Sequence, residues 1–387
     1  MTDTPWLALL LGLMAAWAAG RVCLRHGYPP MLGELLLGVL LGWAGLLHHP
    51  EMLQTLGAFG VVLMLVAVGA TLNLKALLQD RKRLLPLAML GFLVPALSGY
   101  GLLSMAGLGH NTSLMGALVL GNTALVTTSR LVVDLKLLDS QLGRTLLGIA
   151  ALTIVLVMLT FSLNQAVSGG AGGFALFPLL LFGVGLWLFP KVVGWAQQEA
   201  ARASNAGSPE KGLLPLLIGL FLLVVLSDQA GLGFVLGAFL AGVFMGPLLV
   251  HSSNGWLLAQ LKVWGFSVLS PLFYVAVGAQ VQVVWQDLGW VLLLTLLALL
   301  GKGLTLWTVA RLQGSTGRDS TLQAISLNAR GGIDLVLLST ALGLQMISQS
   351  WFSILVLVVW LCTLTVPLAL KAYGLQRSMQ VQGNYRI

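Results

Sequence analysis

Two short polar segments interrupt an otherwise apolar chain, and their residue types suit the handling of small ions. The first is Gly121-Asn122-Thr123-Ala124-Leu125-Val126-Thr127-Thr128-Ser129-Arg130, in which Asn122, Thr123, Thr127 and Thr128 carry amide and hydroxyl oxygens. The second is Ser326-Leu327-Asn328-Ala329-Arg330-Gly331-Gly332-Ile333-Asp334, with Asn328 and one carboxylate, Asp334. A helix in lipid must satisfy its backbone groups internally, so a polar stretch in mid-span marks a break that lines protein or a water-filled cavity. Such oxygens, with the carbonyls a break sets free, can coordinate a cation, and the same groups can satisfy the broken backbone. Arg330 and Asp334 stand four apart, on one helical face, and read as a mutually neutralising pair. As the minor alternative, Asp334 is a candidate carrier of a proton or a cation.

Three further charges fall where charge is costly. Lys302 lies near the centre of an apolar run, where a charge costs from about 3 kcal/mol upward, so it must face protein or water. It could neutralise the C-terminus of a half-helix, replace a missing cation, or bind an anion. Glu34 reads as a structural acid, with a proton-path role as the minor alternative. Arg130 ends its run and reads as snorkelling to the surface. No residue set suggests an enzyme: there is no metal-spaced His/Cys group, phosphate loop or nucleophile elbow, and no cofactor is expected. Cys23 and Cys362 read as packing residues.

Composition dictates the surroundings. Of 387 residues, 58% are hydrophobic and 8% charged, with a mean hydropathy of +0.95; soluble domains carry roughly 25% charged residues. Lipid is therefore the solvent for most of this chain. Thirteen apolar runs are long enough to cross it: 5–22, 31–48, 55–74, 84–107, 112–135, 143–166, 173–197, 212–227, 231–250, 261–281, 287–311, 320–345 and 351–373. The first is a span and not a signal peptide, because its leading residues hold Asp3 and no base. The net charge of +8 has a topological explanation and calls for no nucleic acid. Loops after odd-numbered runs hold the bases, among them Arg21, Arg25, Lys75, Arg81, Lys82, Arg83, Lys136, Arg144, Arg202, Lys211, Arg311 and Arg318; loops after even-numbered runs hold none. Lysine and arginine concentrate on the cytoplasmic side. The N-terminus is accordingly expected outside and the C-terminus inside, in an inner (plasma) membrane.

The order of the runs carries a symmetry. Six precede the seventh and six come after it, so the odd seventh inverts the second set. The two polar interruptions occupy the fifth run of each set, which is where transporters with inverted repeats place discontinuous helices and substrate. The expected fold is an all-α membrane protein of about 13 transmembrane helices, with two inverted six-helix repeats and crossing discontinuous helices. One domain is expected over 1–387: a first repeat at 1–166, a linking helix and loop at 167–211, a second repeat at 212–373 and a short cytoplasmic tail at 374–387.

Several segments together resemble the monovalent cation:proton antiporter-2 family, the Kef-type and sodium/proton exchanger-like membrane proteins. They are Pro29-Pro30-Met31-Leu32-Gly33-Glu34, Gly231-Leu232-Gly233-Phe234-Val235-Leu236-Gly237-Ala238-Phe239-Leu240-Ala241-Gly242, Pro271-Leu272-Phe273-Tyr274-Val275-Ala276-Val277-Gly278 and Asn328-Ala329-Arg330-Gly331. The resemblance spans nearly the whole chain and implies a dimerisation scaffold, a mobile core, a homodimer, and a monovalent cation and proton as substrates. It also implies one or two acids on the span after the first break. Counting from Gly143-Arg144 and Gly148, those places hold Thr153 and Ile154, and no acid lies between Gly143 and Ala171.

Three functions stay open from sequence: a sodium or potassium:proton antiporter of altered or lost coupling, a non-transporting membrane subunit or sensor with an unidentified protein partner, and an anion transporter. The loop charges make a direct prediction. With Cys23 and Cys362 replaced by alanine, Gly109→Cys is labelled in intact cells by an impermeant maleimide and Lys82→Cys only after lysis; the reverse pattern overturns the orientation.

Overall fold

The computed structural model describes residues 5–46, 50–71, 79–137, 140–168, 213–230, 232–250 and 255–374, with single positions 184, 191, 194 and 198. Its helices are α1 (Pro5–Arg25), α2 (Pro30–Trp43), α3 (Pro50–Ala70), α4 (Arg81–Met105), α5 (His110–Gly121), α6 (Leu125–Asp134) and α7 (Gln141–Ser168). Next come α8 (Leu213–Gln229), α9 (Phe234–Val250), α10 (Gly255–Lys262), a π-helical turn (Val263–Leu269) and α11 (Ser270–Ala279). A 3₁₀ turn (Trp285–Asp287), α12 (Leu288–Leu312), α13 (Gly317–Ser326), α14 (Gly332–Gly343) and α15 (Gln349–Ala372) complete the series.

Twelve of the thirteen expected spans have a counterpart among the described residues. The fifth is split into α5 and α6, the tenth into α10 and α11 around the π turn, and the twelfth into α13 and α14. Of the seventh, 173–197, only residues 184, 191 and 194 are described. Among the described residues, eight helical runs are long and apolar enough to cross a bilayer, and four shorter apolar helices accompany them.

The chain forms two compact units. One holds residues 1–55, 75–157 and 271–387; the other holds 56–74 and 158–270. Each is held by glycines at close helix approaches, as small-residue packing in membranes requires. In the first unit Gly38 and Gly42 of α2 lie against the backbone of α11: a Cβ at Gly38 would collide with the Val275 carbonyl oxygen, and one at Gly42 would stand 2.5 Å from that of Ala279. In the second unit Gly242 and Gly246 of α9 lie in the same way on Val66 and Ala70 of α3. The second span of each half thus packs its Gly-x-x-x-Gly face on the third span of the other half. That exchange is what inverted repeats produce.

The π turn was not legible in the sequence. It brings Leu269 against Gly60 and Gly265 against Leu63 and Met64, inside the second unit. Such turns insert one extra residue into a helix and re-aim the side chains of the next turn.

The close approaches set a stability contrast. Gly38→Leu removes most folded protein from detergent extracts, because the obstructing atoms are backbone. Gly101→Ala, with nothing within 4 Å of the added carbon, keeps or raises the melting temperature, as helix propensity favours alanine by about 1 kcal/mol. Size-exclusion yield and thermal unfolding check both.

Candidate functional site

The first unit's core is built where the two broken helices meet. α5 ends at Gly121, and Asn122 leaves it extended at φ −66°, ψ 163°. α13 ends at Ser326, and α14 starts after Gly331, which is also extended. The Ala124 N–H donates to the Ala329 carbonyl at 2.9 Å, and Thr123 Oγ1 donates to the Leu327 carbonyl at 3.1 Å. The strands of the crossing are therefore tied backbone to backbone. Gly331 is required here, since a Cβ would stand 2.7 Å from that of Ala124, and a Cβ at Gly332 would collide with the Tyr274 hydroxyl.

Each break exposes helix ends that carry partial charge, negative at a C-terminus and positive at an N-terminus. The C-terminus of α5 receives two fixed cations. Lys302 Nζ, from the middle of α12, donates to the carbonyls of Gly121 at 2.5 Å and Asn122 at 2.6 Å. The Arg330 guanidinium donates to Leu120 O at 2.5 Å and also to Asn122 O. The C-terminus of α13 is met by neutral donors: besides Thr123, Asn328 Nδ2 donates to Ala324 O at 2.9 Å and to Leu299 O at 3.2 Å.

Asp334 occupies the first turn of α14. Its Oδ2 accepts the Gly331 N–H at 2.8 Å, and its Oδ1 accepts Asn122 Nδ2 at 2.8 Å. One carboxylate thus caps one half-helix and grips the break before the other. The N-terminus of α6 differs, for it begins after Ala124 with no side-chain cap. Thr363 of α15 clamps the extended segment, accepting the Arg330 N–H at 3.2 Å and donating to the Arg330 carbonyl at 2.9 Å.

Lys302, Arg330, Asp334, Asn122, Thr123 and Thr128 are all buried, at 1% exposure or less. Several buried polar atoms in this unit have no hydrogen-bond partner among the described residues: Asn122 Oδ1, Thr128 Oγ1, Gln323 Oε1 and Nε2, Ser326 Oγ, Asn328 Oδ1 and Arg330 Nε. Native proteins leave few such groups, and each costs about 1–3 kcal/mol unless water or an ion meets it. The crossing thus offers oxygen ligands together with two cations and one carboxylate.

This geometry has relatives. Residues 9–373 match the family model described as sodium/hydrogen exchanger, transmembrane. The chain belongs to the sodium/hydrogen exchanger family. A Na(+)/H(+) antiporter of Enterococcus hirae is 27% identical over 94% of this chain and 97% of that protein. The Na(+)/H(+)-K(+) antiporter GerN of Bacillus cereus is 25% identical over 94% of each. The sodium proton antiporter MjNhaP1 of Methanocaldococcus jannaschii has the same fold, with a TM-score of 0.67 at 16% identity over 97% of this chain and 98% of that one.

In this exchanger-family chain the structure gathers Asn122, Thr123, Lys302, Asn328, Arg330 and Asp334 at the crossing. Thr127 is half-buried on α6, and Arg130 is exposed. Glu34 is buried in α2, within electrostatic reach of Tyr274, whose hydroxyl abuts Gly332. Thr153 is buried on α7, and its hydroxyl donates to Ile149 O at 2.8 Å. Ile154 beside it is fully buried.

One expectation is corrected. Arg330 and Asp334 are not a pair on one helical face: Arg330 precedes α14 in extended backbone, and its guanidinium turns to the α5 carbonyls. Spacing of four implies a shared face only inside a helix, and the break falls between them. Sequence reasoning also missed Thr363, Gln323 and Ser326. Thr363 sits in an apolar run and bonds back to Val359 O at 2.7 Å, like any helical threonine; nothing linear marks its second partner.

The caps can be ranked by substitution. Lys302→Met leaves the α5 carbonyls short of a charged donor and lowers stability by about 3 kcal/mol, whereas Thr363→Val costs about 1 kcal/mol. Thermal unfolding in detergent should separate the two; equal and negligible losses would contradict this geometry.

Proposed function

We propose that this chain is a secondary transporter exchanging a monovalent cation, sodium or potassium, for protons, with coupling that runs through the helix crossing and not through an acid on α7. The observation that carries this reading is the pairing of Asp334 with Asn122 at the crossing, while the hydroxyl of Thr153 on α7 is bound to its own helix. The names of the Enterococcus and Bacillus relatives support exchange of sodium or potassium for protons.

Charge decides how such an exchange works. Lys302 and Arg330 already place two formal cations around one carboxylate. Two like unit charges about 4 Å apart repel by about 4 kcal/mol at an effective dielectric of about 20. A further cation enters at low cost only if a proton leaves the same group of residues. Asp334 is the proposed exchanging acid: as a carboxylate it accepts the Gly331 and Asn122 N–H groups, and protonation releases the Asn122 amide. Asn122, Thr123, Thr127, Thr128 and Asn328 supply neutral oxygens for the ion, with Arg130, Lys302, Arg330 and Glu34 balancing charge. The protein works as a homodimer in the plasma membrane, N-terminus outside.

A second reading rests on the same charges. If the donors of Lys302 and Arg330 permanently fill the cation's place, the scaffold is a non-transporting subunit or sensor. Proteoliposomes with an entrapped pH dye distinguish the two. Sodium or potassium added outside moves protons with the natural chain and with Thr153→Ala, but not with Asp334→Asn. A silent natural chain, folded by its melting curve, refutes exchange.

A further inference from the structure

α12, α13 and α15 enclose a groove of about 540 Å³ within the first unit. Leu300, Leu304 and Trp307 line one wall, Ala324 a second and Thr365 a third; Asn328 closes the inner end. The lining is almost wholly apolar. Leu300, Leu304 and Trp307 are 58%, 63% and 42% exposed, so the mouth opens to the hydrocarbon on the flank of α12. The volume lies in the roughly 300–1,000 Å³ range of small-molecule sites.

Two of the walls continue into charge. On α12 the residues 300, 304, 307 and 311 form one stripe, and on α13 so do 318, 321 and 325. Each stripe ends one turn beyond the groove in an exposed arginine, Arg311 and Arg318. The two helices are joined by residues 313–316, so both arginines stand at the same end of the groove. Arg311 is steadied there by donating to Ser315 O at 2.9 Å. Asp319, half-buried beside Arg318, is the acid at this end, and Thr316 Oγ1 accepts its N–H at 3.1 Å.

The dimensions match one leaflet. From 311 to 299 along α12 is about 18 Å at about 1.5 Å per residue, close to half of a hydrocarbon layer of roughly 30 Å. We propose that the groove holds one acyl chain of an anionic membrane phospholipid, its phosphate between Arg311 and Arg318 and its chain running inward to Asn328. Asn328 adjoins Ala329, whose carbonyl accepts the Ala124 N–H. The chain end therefore touches the segment that ties the two broken helices together, and occupancy stiffens the crossing.

Native mass spectrometry of the delipidated full chain tests this, with phosphatidylglycerol and phosphatidylcholine of identical chains as probes. The natural protein retains phosphatidylglycerol in preference. Arg311→Gln with Arg318→Gln lowers that retention roughly tenfold and removes the preference; Ala324→Phe, or Thr365→Phe on the opposite wall, abolishes retention of both lipids. The exposed arginines are not part of the packed core, so their replacement keeps the test open if a groove variant misfolds. Equal retention of the two lipids by the natural chain, or a preference that survives loss of both arginines, overturns the proposal. Loss of phosphatidylglycerol with the arginine variants alone, the groove variants being folded and unaffected, places the lipid elsewhere and overturns it too.

Discussion

The broken backbone in mid-bilayer is the constraint to which the rest of this structure responds. A helix end in lipid cannot turn to water for its missing hydrogen bonds, and four such ends meet here. The chain answers with contacts between the breaks themselves, Ala124 N–H to the Ala329 carbonyl and Thr123 to the Leu327 carbonyl. Side chains from elsewhere in the same unit complete the job: Lys302 from α12 and Thr363 from α15. The glycines at 331 and 332 exist because the segments come too close for a side chain.

The four ends are not treated alike, and the inequality gives the site its character. The α5 C-terminus has two cations, the α13 C-terminus neutral donors, and the α14 N-terminus a carboxylate, while α6 starts without a side-chain cap. On α7 the residues at the places where an acid was expected are Thr153 and Ile154. The charge balance of the crossing therefore rests on Asp334 against Lys302 and Arg330. Any cation must be admitted against that balance, which is why its exchange with a proton is the proposed chemistry.

Much of this was legible in residue order. Long apolar runs gave the spans, because crossing lipid leaves no other use for them. The two polar segments marked the breaks, because only a break explains asparagine, glycine and threonine together in mid-span. What residue order could not supply was direction. The i, i+4 rule paired Arg330 with Asp334 across a point where the helix does not exist. Asn122 and Asp334, 212 residues apart, carry no mutual signal. The π turn inside the tenth span left no trace in periodicity, since one inserted residue changes the phase of an all-apolar surface without changing its composition. The division of the chain into two units is likewise a matter of which faces meet, and apolar faces in lipid look alike from sequence.

An electron cryo-microscopy map of the chain in lipid nanodiscs tests the crossing most directly. The map should show both helices interrupted, Ala124 and Ala329 joined by their backbones, and the Lys302 side chain ending on the Gly121 and Asn122 carbonyls. A continuous helix through residues 121–125, or a Lys302 directed to the lipid, would contradict it.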